Sequence, residues 1–107
     1  MSTNITLSAP VAISEQSGLR CPHCGFDHLH QVSVTCFERR EDAPTVRRTR
    51  ISGTALAQED VPQEGSGNPS RRRHGVVIAF ECEGCRQTTE LSFAQHKGQT
   101  LVEWRTP

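Results

Sequence analysis

The sequence predicts a small all-β protein of about four antiparallel strands, with a long flexible loop between the first two strands. Three observations support this fold class: segments in which apolar and polar residues alternate, the lack of a segment with helical period, and two Cys-x-x-Cys pairs. Alternation with a period of two places one set of side chains on a buried face and the other in solvent. The chain has 107 residues, 34% of them hydrophobic, with four phenylalanines and one tryptophan. We therefore expect one small core.

The four expected strands follow one another along the chain. The first covers about residues 29–38, and the second runs from Gly75 to the second cysteine pair. The third covers about residues 88–95, and a tight turn at 96–99 leads into the last, at 100–105. One apolar face of these strands forms the predicted core, which consists of Val32, Val34, Ile78, Phe80, Leu91, Phe93, Val102 and Trp104.

The remaining segments lack the residues that a core needs. Residues 1–20 are polar and without sustained period, so we expect a flexible N-terminal tail. Residues 21–107 form one predicted domain, into which residues 38–74 are inserted as a mobile arginine-bearing loop. This insertion contains three prolines, three glycines and no aromatic residue. Such a segment buries too little apolar area to offset its ordering entropy.

Four of the five cysteines form two pairs with metal-ligand spacing, Cys21 with Cys24 and Cys82 with Cys85. A two-residue spacer lets both sulfurs of a pair point at one centre, and four thiolates complete a tetrahedral Zn²⁺ shell. A closed shell has no open position for water, so we predict one structural zinc ion. The fifth cysteine, Cys36, shares an apolar face and is expected to be a buried small hydrophobe.

The loops of such a site need unusual backbone angles. Gly25 and Gly84 are expected to provide the positive φ that Cys-x-x-Cys loops commonly require. Nearby histidines, His28 and His30, are able to replace a cysteine in the shell, although the spacing does not require them. Burial alone gives so small a core a stability near zero, so we expect the metal-free chain to be largely unfolded.

The segments Cys21-Pro22-His23-Cys24-Gly25 and Cys82-Glu83-Gly84-Cys85 resemble the zinc-ribbon superfamily. The resemblance covers about residues 21–37 and 75–105 and implies a metal-stabilised antiparallel fold. Two departures stand out: Arg86 occupies the position of the second loop's glycine, and 57 residues separate the pairs. The stretch from Phe80 to Arg105 also resembles small uncharacterised zinc-ribbon proteins of bacterial phages and mobile elements.

The first cysteine pair has a second interpretation. Cys-Pro-His-Cys is also the active-site sequence of strongly oxidising thiol–disulfide oxidoreductases, in which the motif follows a buried strand and opens a helix. Here Ser17-Gly18-Leu19-Arg20 precedes the motif and Gly25-Phe26-Asp27-His28 follows it, and neither segment has that character. A redox enzyme using Cys21 and Cys24 is therefore a remote alternative that leaves the second pair unexplained.

Arginine is concentrated in the predicted loop. Two clusters free of acidic residues are expected to contact phosphate oxygens of DNA or RNA, because guanidinium groups match their geometry. Zinc ribbons frequently serve in nucleic-acid machinery, so the resemblance supports this hypothesis. The alternative is a protein–protein adaptor that docks through the same loop or through the exposed face of the sheet. The candidate nucleic-acid contacts are Arg47, Arg48, Arg50, Arg71, Arg72 and Arg73.

Composition excludes several other classes of function. Twelve basic residues balance twelve acidic ones, so the chain as a whole is not a strongly basic nucleic-acid binder. No apolar run approaches a membrane span, and no secretory signal is recognised, so a cytoplasmic protein is expected. Catalytic and phosphate-loop motifs are missing, which predicts a non-enzymatic protein with no small-molecule substrate.

Overall fold

Six β-strands form one antiparallel sheet in the computed structural model, which describes residues 11–15 and 18–107. Their order across the sheet is β3-β2-β1-β4-β5-β6. Within the described residues there is no helix with the length and apolarity needed to cross a membrane. The strands are β1 (Leu29–Glu38), β2 (Thr45–Ser52), β3 (Ala55–Pro62), β4 (Gly75–Cys82), β5 (Thr88–His96) and β6 (Gln99–Arg105).

The four strands expected from alternation correspond to β1, β4, β5 and β6. The predicted turn at residues 96–99 is also present, with positive φ at both central residues, Lys97 (49°) and Gly98 (82°). These angles suit the twist of a two-residue hairpin. The prediction of about four strands is inexact, because β2 and β3 lie within residues 38–74, where a loop was expected.

A hairpin forms within the insertion because its sequence favours extended backbone. Thr45, Val46, Thr49 and Ile51 are β-branched and lie in β2, which pairs with β1 on one side and β3 on the other. Between β2 and β3 the two-residue turn begins at Gly53, whose φ of 58° favours glycine. Pairing with β1 supplies the partner that a two-stranded hairpin needs for stability.

The first face of the sheet carries most of the predicted core. Phe80, Leu91 and Trp104 are buried there in one cluster, here called the Trp104 cluster, against which Ile78 and Phe93 pack. Trp104 is fully buried, and its ring meets Phe80 edge to face at a centroid distance of 6.1 Å. This part of the core prediction is confirmed.

Val32 and Val102 were assigned to the core wrongly. Their exposed fractions are 47% and 40%. In β1 the register shifts between Gln31 and Ser33, so Val32 is the extra residue of a β-bulge and leaves the alternation. Val102 lies on β6, an edge strand with a neighbour on one side only.

The second face holds a smaller cluster, named here after Phe37, which also contains Val46 and Val77. The strand order explains this cluster: β3 lies at the sheet edge, and β4, the next strand along the chain, lies beside β1. The connection of residues 63–74 must therefore cross the sheet, and it covers this face. Packing is close: a Cβ at Gly75 would overlap the Asn68 and Pro69 side chains.

The expected N-terminal tail lies partly outside the described residues, which omit 1–10 and 16–17. Of the remainder, Val11 and Leu19 pack against the Trp104 cluster. Ile13 and Leu19 form an isolated antiparallel bridge, and Arg20 N–H donates to the Ala12 carbonyl at 3.0 Å. Packing against the sheet therefore begins before the first cysteine.

Candidate metal centre and arginine clusters

The two cysteine loops have the same backbone hydrogen bonds. In the first loop, Cys21 N–H donates to Phe26 O (2.7 Å) and Gly25 N–H donates to Cys21 O (2.8 Å). In the second, Cys82 N–H donates to Gln87 O (3.0 Å) and Arg86 N–H donates to Cys82 O (3.0 Å). Each loop therefore turns back on its first cysteine and directs both sulfurs to one side.

Positive φ occurs after the last cysteine of each loop. Gly25 has a φ of 81°, as expected, and the equivalent residue of the second loop is Arg86, with a φ of 65°. The expectation for Gly84 is wrong, because its φ is not positive. Glycine is needed there for space instead: a Cβ at Gly84 would lie 3.1 Å from the Phe26 ring.

Replacing Arg86 with glycine is expected to maintain or raise stability. A non-glycine residue in the left-handed region costs about 1–2 kcal/mol, against roughly 0.5–1 kcal/mol for the added chain entropy of glycine. The Arg86 side chain is 73% exposed and lies 3.4 Å from Glu81, an ion pair of little value. Arg86→Gly should therefore raise the free energy of unfolding by up to about 1 kcal/mol, which urea denaturation would show as a higher midpoint.

Arg86→Ala is the matched control, since it removes the ion pair while keeping a Cβ at positive φ. We expect it to be neutral or slightly destabilising. A variant Arg86→Gly that unfolds at lower urea than Arg86→Ala would contradict the argument from backbone strain.

The four predicted ligands come together at one end of the sheet. The Sγ atoms of Cys21, Cys24, Cys82 and Cys85 all lie within 4.8 Å of one another. Cys21 Sγ is 3.8 Å from Cys85 Sγ, and Cys24 Sγ is 3.6 Å from Cys82 Sγ. Sulfurs about 2.3 Å from a central zinc ion are separated by about 3.8 Å in a tetrahedron. The cluster thus has the size and the ligand chemistry of a four-thiolate zinc site.

Backbone donors and burial tune the thiols of the second loop. Burial by itself raises the pKa of Cys82, but N–H groups of Cys85 and Gly84 and the neighbouring thiols lower it to about 7. For Cys85, the Gln87 N–H lowers the pKa, while burial and the thiols of the other three ligands raise it to about 11. Neighbouring thiolates repel one another, so the four sulfurs do not readily all ionise together. A bound cation would offset this repulsion.

Other candidate ligands lie outside this cluster. His28 Nδ1 is 2.9 Å from Asp27, and His30 Nε2 is 3.1 Å from Glu83. Cys36, on β1, is half-buried and is absent from the metal-binding group. In the described residues the four cysteines therefore form the cluster by themselves.

The context of the first pair differs from that of a thiol oxidoreductase. A turn and a bend follow Cys21, and β1 begins at Leu29, so no helix opens at this motif. Each sulfur of the first pair also lies close to a sulfur of the second loop, at 3.8 Å for Cys21 and 3.6 Å for Cys24. Both features suit shared metal coordination.

The six candidate arginines do not form one patch. Side chains alternate along β2, so Arg48 and Arg50 lie on the second face while Arg47 lies on the first. Arg47 and Arg73 line one concavity at the end of the sheet opposite the cysteines. Arg71 lines another concavity, beside β5 and β6. The two arginine clusters expected from the sequence are thus divided among separate surfaces.

Three of the arginines have carboxylate partners. Arg47 donates to Asp60 through Nε at 3.0 Å, and this bond raises the pKa of Arg47 and lowers that of Asp60. Arg48 donates to Glu59, and Arg72 donates to both Glu41 and Asp42. Within the described chain, no carboxylate lies at ion-pair distance from Arg50, Arg71 or Arg73.

Two arginines outside the predicted set have defined structural positions. Arg39 is buried, and its guanidinium donates to the carbonyls of Ala43 (2.7 Å) and Arg71 (2.8 Å). Arg105, at the end of β6, is also buried and donates through Nε to Glu90 Oε1 at 2.8 Å. The pairing registers of the strands place Arg105 on the same face of the sheet as Arg48 and Arg50. No local sequence pattern in β6 indicates that these arginines share a face.

Comparison of the chain with protein-family models, with curated proteins and with solved structures finds no match.

Proposed function

We propose that this chain is a non-enzymatic zinc-binding module of zinc-ribbon type that contacts nucleic acid through its arginines. The single observation that carries the proposal is the four-sulfur cluster, whose members come from two loops of matching backbone geometry. Zinc would be held by Cys21, Cys24, Cys82 and Cys85. Its chemistry there is structural, since four thiolates leave no position for a reacting water.

The cluster joins two loops that lie far apart in the sequence. The first cysteine loop precedes β1, and the second connects β4 with β5, so a shared ion links sequence positions 58 or more residues apart. A bond of this kind removes much of the freedom of the unfolded chain, and binding energy becomes folding energy. Zinc therefore stabilises the two central strands of the sheet and their neighbour.

Nucleic-acid contact is supported by the arginines that have no carboxylate partner. Arg50, Arg71 and Arg73 are exposed, and each offers a guanidinium fork for a phosphate oxygen. The pairs formed by Arg47 and Arg48 involve carboxylates that are 62% and 57% exposed, so an incoming phosphate can compete for these arginines. Because these arginines lie on separate surfaces, a flexible single strand of nucleic acid is better able than a rigid duplex to contact several of them.

Salt dependence tests this contact directly. We expect a fluorescein-labelled single-stranded DNA to bind at low salt, with affinity falling between about 50 mM and about 200 mM salt. The triple variant Arg50→Ala, Arg71→Ala, Arg73→Ala should reduce the slope of log affinity against log salt by about 2, or about 0.7 for each lost contact. Fluorescence anisotropy measures both quantities.

The matched control is Arg86→Gly, which removes one arginine at the cysteine end and should leave the slope unchanged. A zinc-loaded, folded chain that binds no DNA or RNA at low salt would contradict nucleic-acid contact.

A protein–protein adaptor is the second candidate, favoured by one specific feature of the first face. Val34, Ile51 and Leu56 stand in one cross-strand row, and Ile51 and Leu56 are 48% and 69% exposed. Such a row is typical of a surface that a partner covers. If nucleic acid fails to bind, loss of a partner on replacing Ile51 and Leu56 with threonine would support this function.

A further inference from the structure

A polar groove on the second face of the sheet is not accounted for by the metal centre. Its volume is about 540 Å³, and it opens between β2, the crossing connection and the end of β6. Phe37 and Val77 form an apolar floor, and both are almost fully buried. Three guanidinium groups and two carboxylates line the groove, namely those of Arg48, Arg50, Arg105, Glu59 and Glu90.

The basic side chains that line the groove differ in how far carboxylates engage them. Arg48 is engaged by Glu59 and by the Ser66 carbonyl, at 2.6 and 2.9 Å. Arg105 is engaged by Glu90 through Nε alone. Arg50 has no carboxylate partner in the described chain, so among the lining side chains the guanidinium groups outnumber the carboxylates by one.

Arg105 directs unused donors into the groove. Its side chain is only 11% exposed, yet neither Nη atom has a hydrogen-bond partner among the described residues. Neither Nη is a fully buried unsatisfied atom, since the described residues of that kind are Thr89 Oγ1 and Trp104 Nε1. The Nη groups therefore reach solvent through the groove that Arg105 lines. A guanidinium held rigidly by burial and by Glu90 loses little entropy when it binds an anion.

Glycine keeps the wall of the groove open beside these donors. Gly67 has a φ of 91°, and a Cβ there would lie 3.7 Å from the Phe37 ring and 3.9 Å from Arg105 Nη2. A longer side chain would occupy space next to both groups. The Arg48 bond to Ser66 holds this part of the crossing connection in position.

We propose that the groove binds one backbone phosphate of a nucleic-acid strand between the guanidinium groups of Arg50 and Arg105. This inference rests on the proposed nucleic-acid contact and names its central site. The excess of one guanidinium group among the lining side chains favours an anionic group such as a phosphodiester. Exposed Arg50 makes the first contact, and buried Arg105 supplies a fixed pair of donors. Sugar carbons are accommodated against the apolar floor.

Charge-matched variants test the site with labelled oligothymidylate as the probe. Glu59→Gln removes a groove carboxylate and should strengthen binding about two- to fivefold. Glu64→Gln makes the same change in net charge at an exposed residue outside the lining and should leave the affinity unchanged. The comparison separates the groove from long-range electrostatics.

The arginines are tested by loss of binding. Arg50→Ala should weaken binding several-fold and reduce the salt slope by about 0.7, whereas Arg40→Ala, at an exposed arginine outside the groove, should not. Arg105→Lys keeps the charge next to Glu90 but loses the second donor pair, and we expect a similar loss of affinity. Because this residue is buried, circular dichroism must first show that the variant folds; Arg50→Ala, at an exposed residue, keeps the test decisive otherwise.

The outcomes distinguish this inference from the proposed function. If the wild-type protein binds the strand but Glu59→Gln and Arg50→Ala match their controls, the phosphate site is wrong while nucleic-acid contact stands. If no strand binds at low salt, both are wrong. If these variants alter the binding of an oligoglutamate peptide and not of the oligonucleotide, the groove serves an acidic protein segment and the phosphate assignment is overturned.

Discussion

Replacing Cys24 with serine is expected to abolish zinc binding and to remove most of the β-sheet circular dichroism. The cluster loses one of four thiolates, and the remaining three must hold the ion with an open position. Apparent binding energies of structural zinc are on the order of 10–16 kcal/mol, comparable with the whole stability of a small domain. If the cluster holds zinc as proposed, loss of the metal removes the largest single contribution to folding.

The hydrophobic core is too small to compensate for the stability lost with the metal. In the part of the chain that the structure describes, the buried hydrophobic residues other than two ligand cysteines and one alanine form two groups of three on opposite faces, around Trp104 and Phe37. The Phe37 cluster lies toward the sheet end away from the cysteines, so it cannot hold their loops in place. Chelation of the wild-type protein under reducing conditions should have the same effect as Cys24→Ser.

Native mass spectrometry and circular dichroism measure this result together. The wild-type chain should carry one zinc ion, and Cys24→Ser none. Cys36→Ala is the matched control, because Cys36 is half-buried and lies outside the cluster. It should retain one zinc ion and the wild-type spectrum. If the chelated wild-type chain keeps its β-sheet circular dichroism spectrum, the proposed structural role of the metal is wrong.

Replacing Trp104 with alanine is expected to destabilise the zinc-loaded protein by about 3–5 kcal/mol. Trp104 is fully buried, pairs in register with Leu91 on β5, and contacts the edge of Phe80. The segment before the cysteines also packs on this cluster through Val11 and Leu19, so a cavity here loosens the first loop as well. Urea denaturation with excess zinc present gives the change in unfolding free energy.

A second substitution at the same position separates volume from polarity. The Trp104 Nε1 atom is buried and has no hydrogen-bond partner among the described residues, and such a donor costs about 1–3 kcal/mol. Trp104→Phe removes this donor while keeping an aromatic ring, so its cost should be well below that of Trp104→Ala. Val102→Ala, on the same strand at a 40% exposed residue, should cost about 1 kcal/mol or less. Equal losses for Val102→Ala and Trp104→Ala would contradict the assignment of the core.

Most of the sheet and the candidate metal site were predictable from local patterns. Alternation in β1, β4, β5 and β6 is a property of a few neighbouring residues, and the turn at residues 96–99 has its own glycine signal. The cysteine pairs are equally local, because a two-residue spacer determines how two sulfurs of one loop can point. The sequence pattern that indicates the hairpin of β2 and β3 is weaker, because arginines interrupt the apolar alternation and prolines are typical of loops.

Contacts between distant segments decided the remainder. The bulge that exposes Val32 follows from the pairing of β1 with β4, and the Phe37 cluster is buried only because the connection from β3 crosses the sheet. Strand geometry also separated Arg47 from Arg48 and placed Arg105 in the groove that Arg48 and Arg50 line. Sequence spacing determines which face of its own strand a residue occupies. Only the folding of the whole chain determines what covers that face, because burial depends on partners far away along the chain.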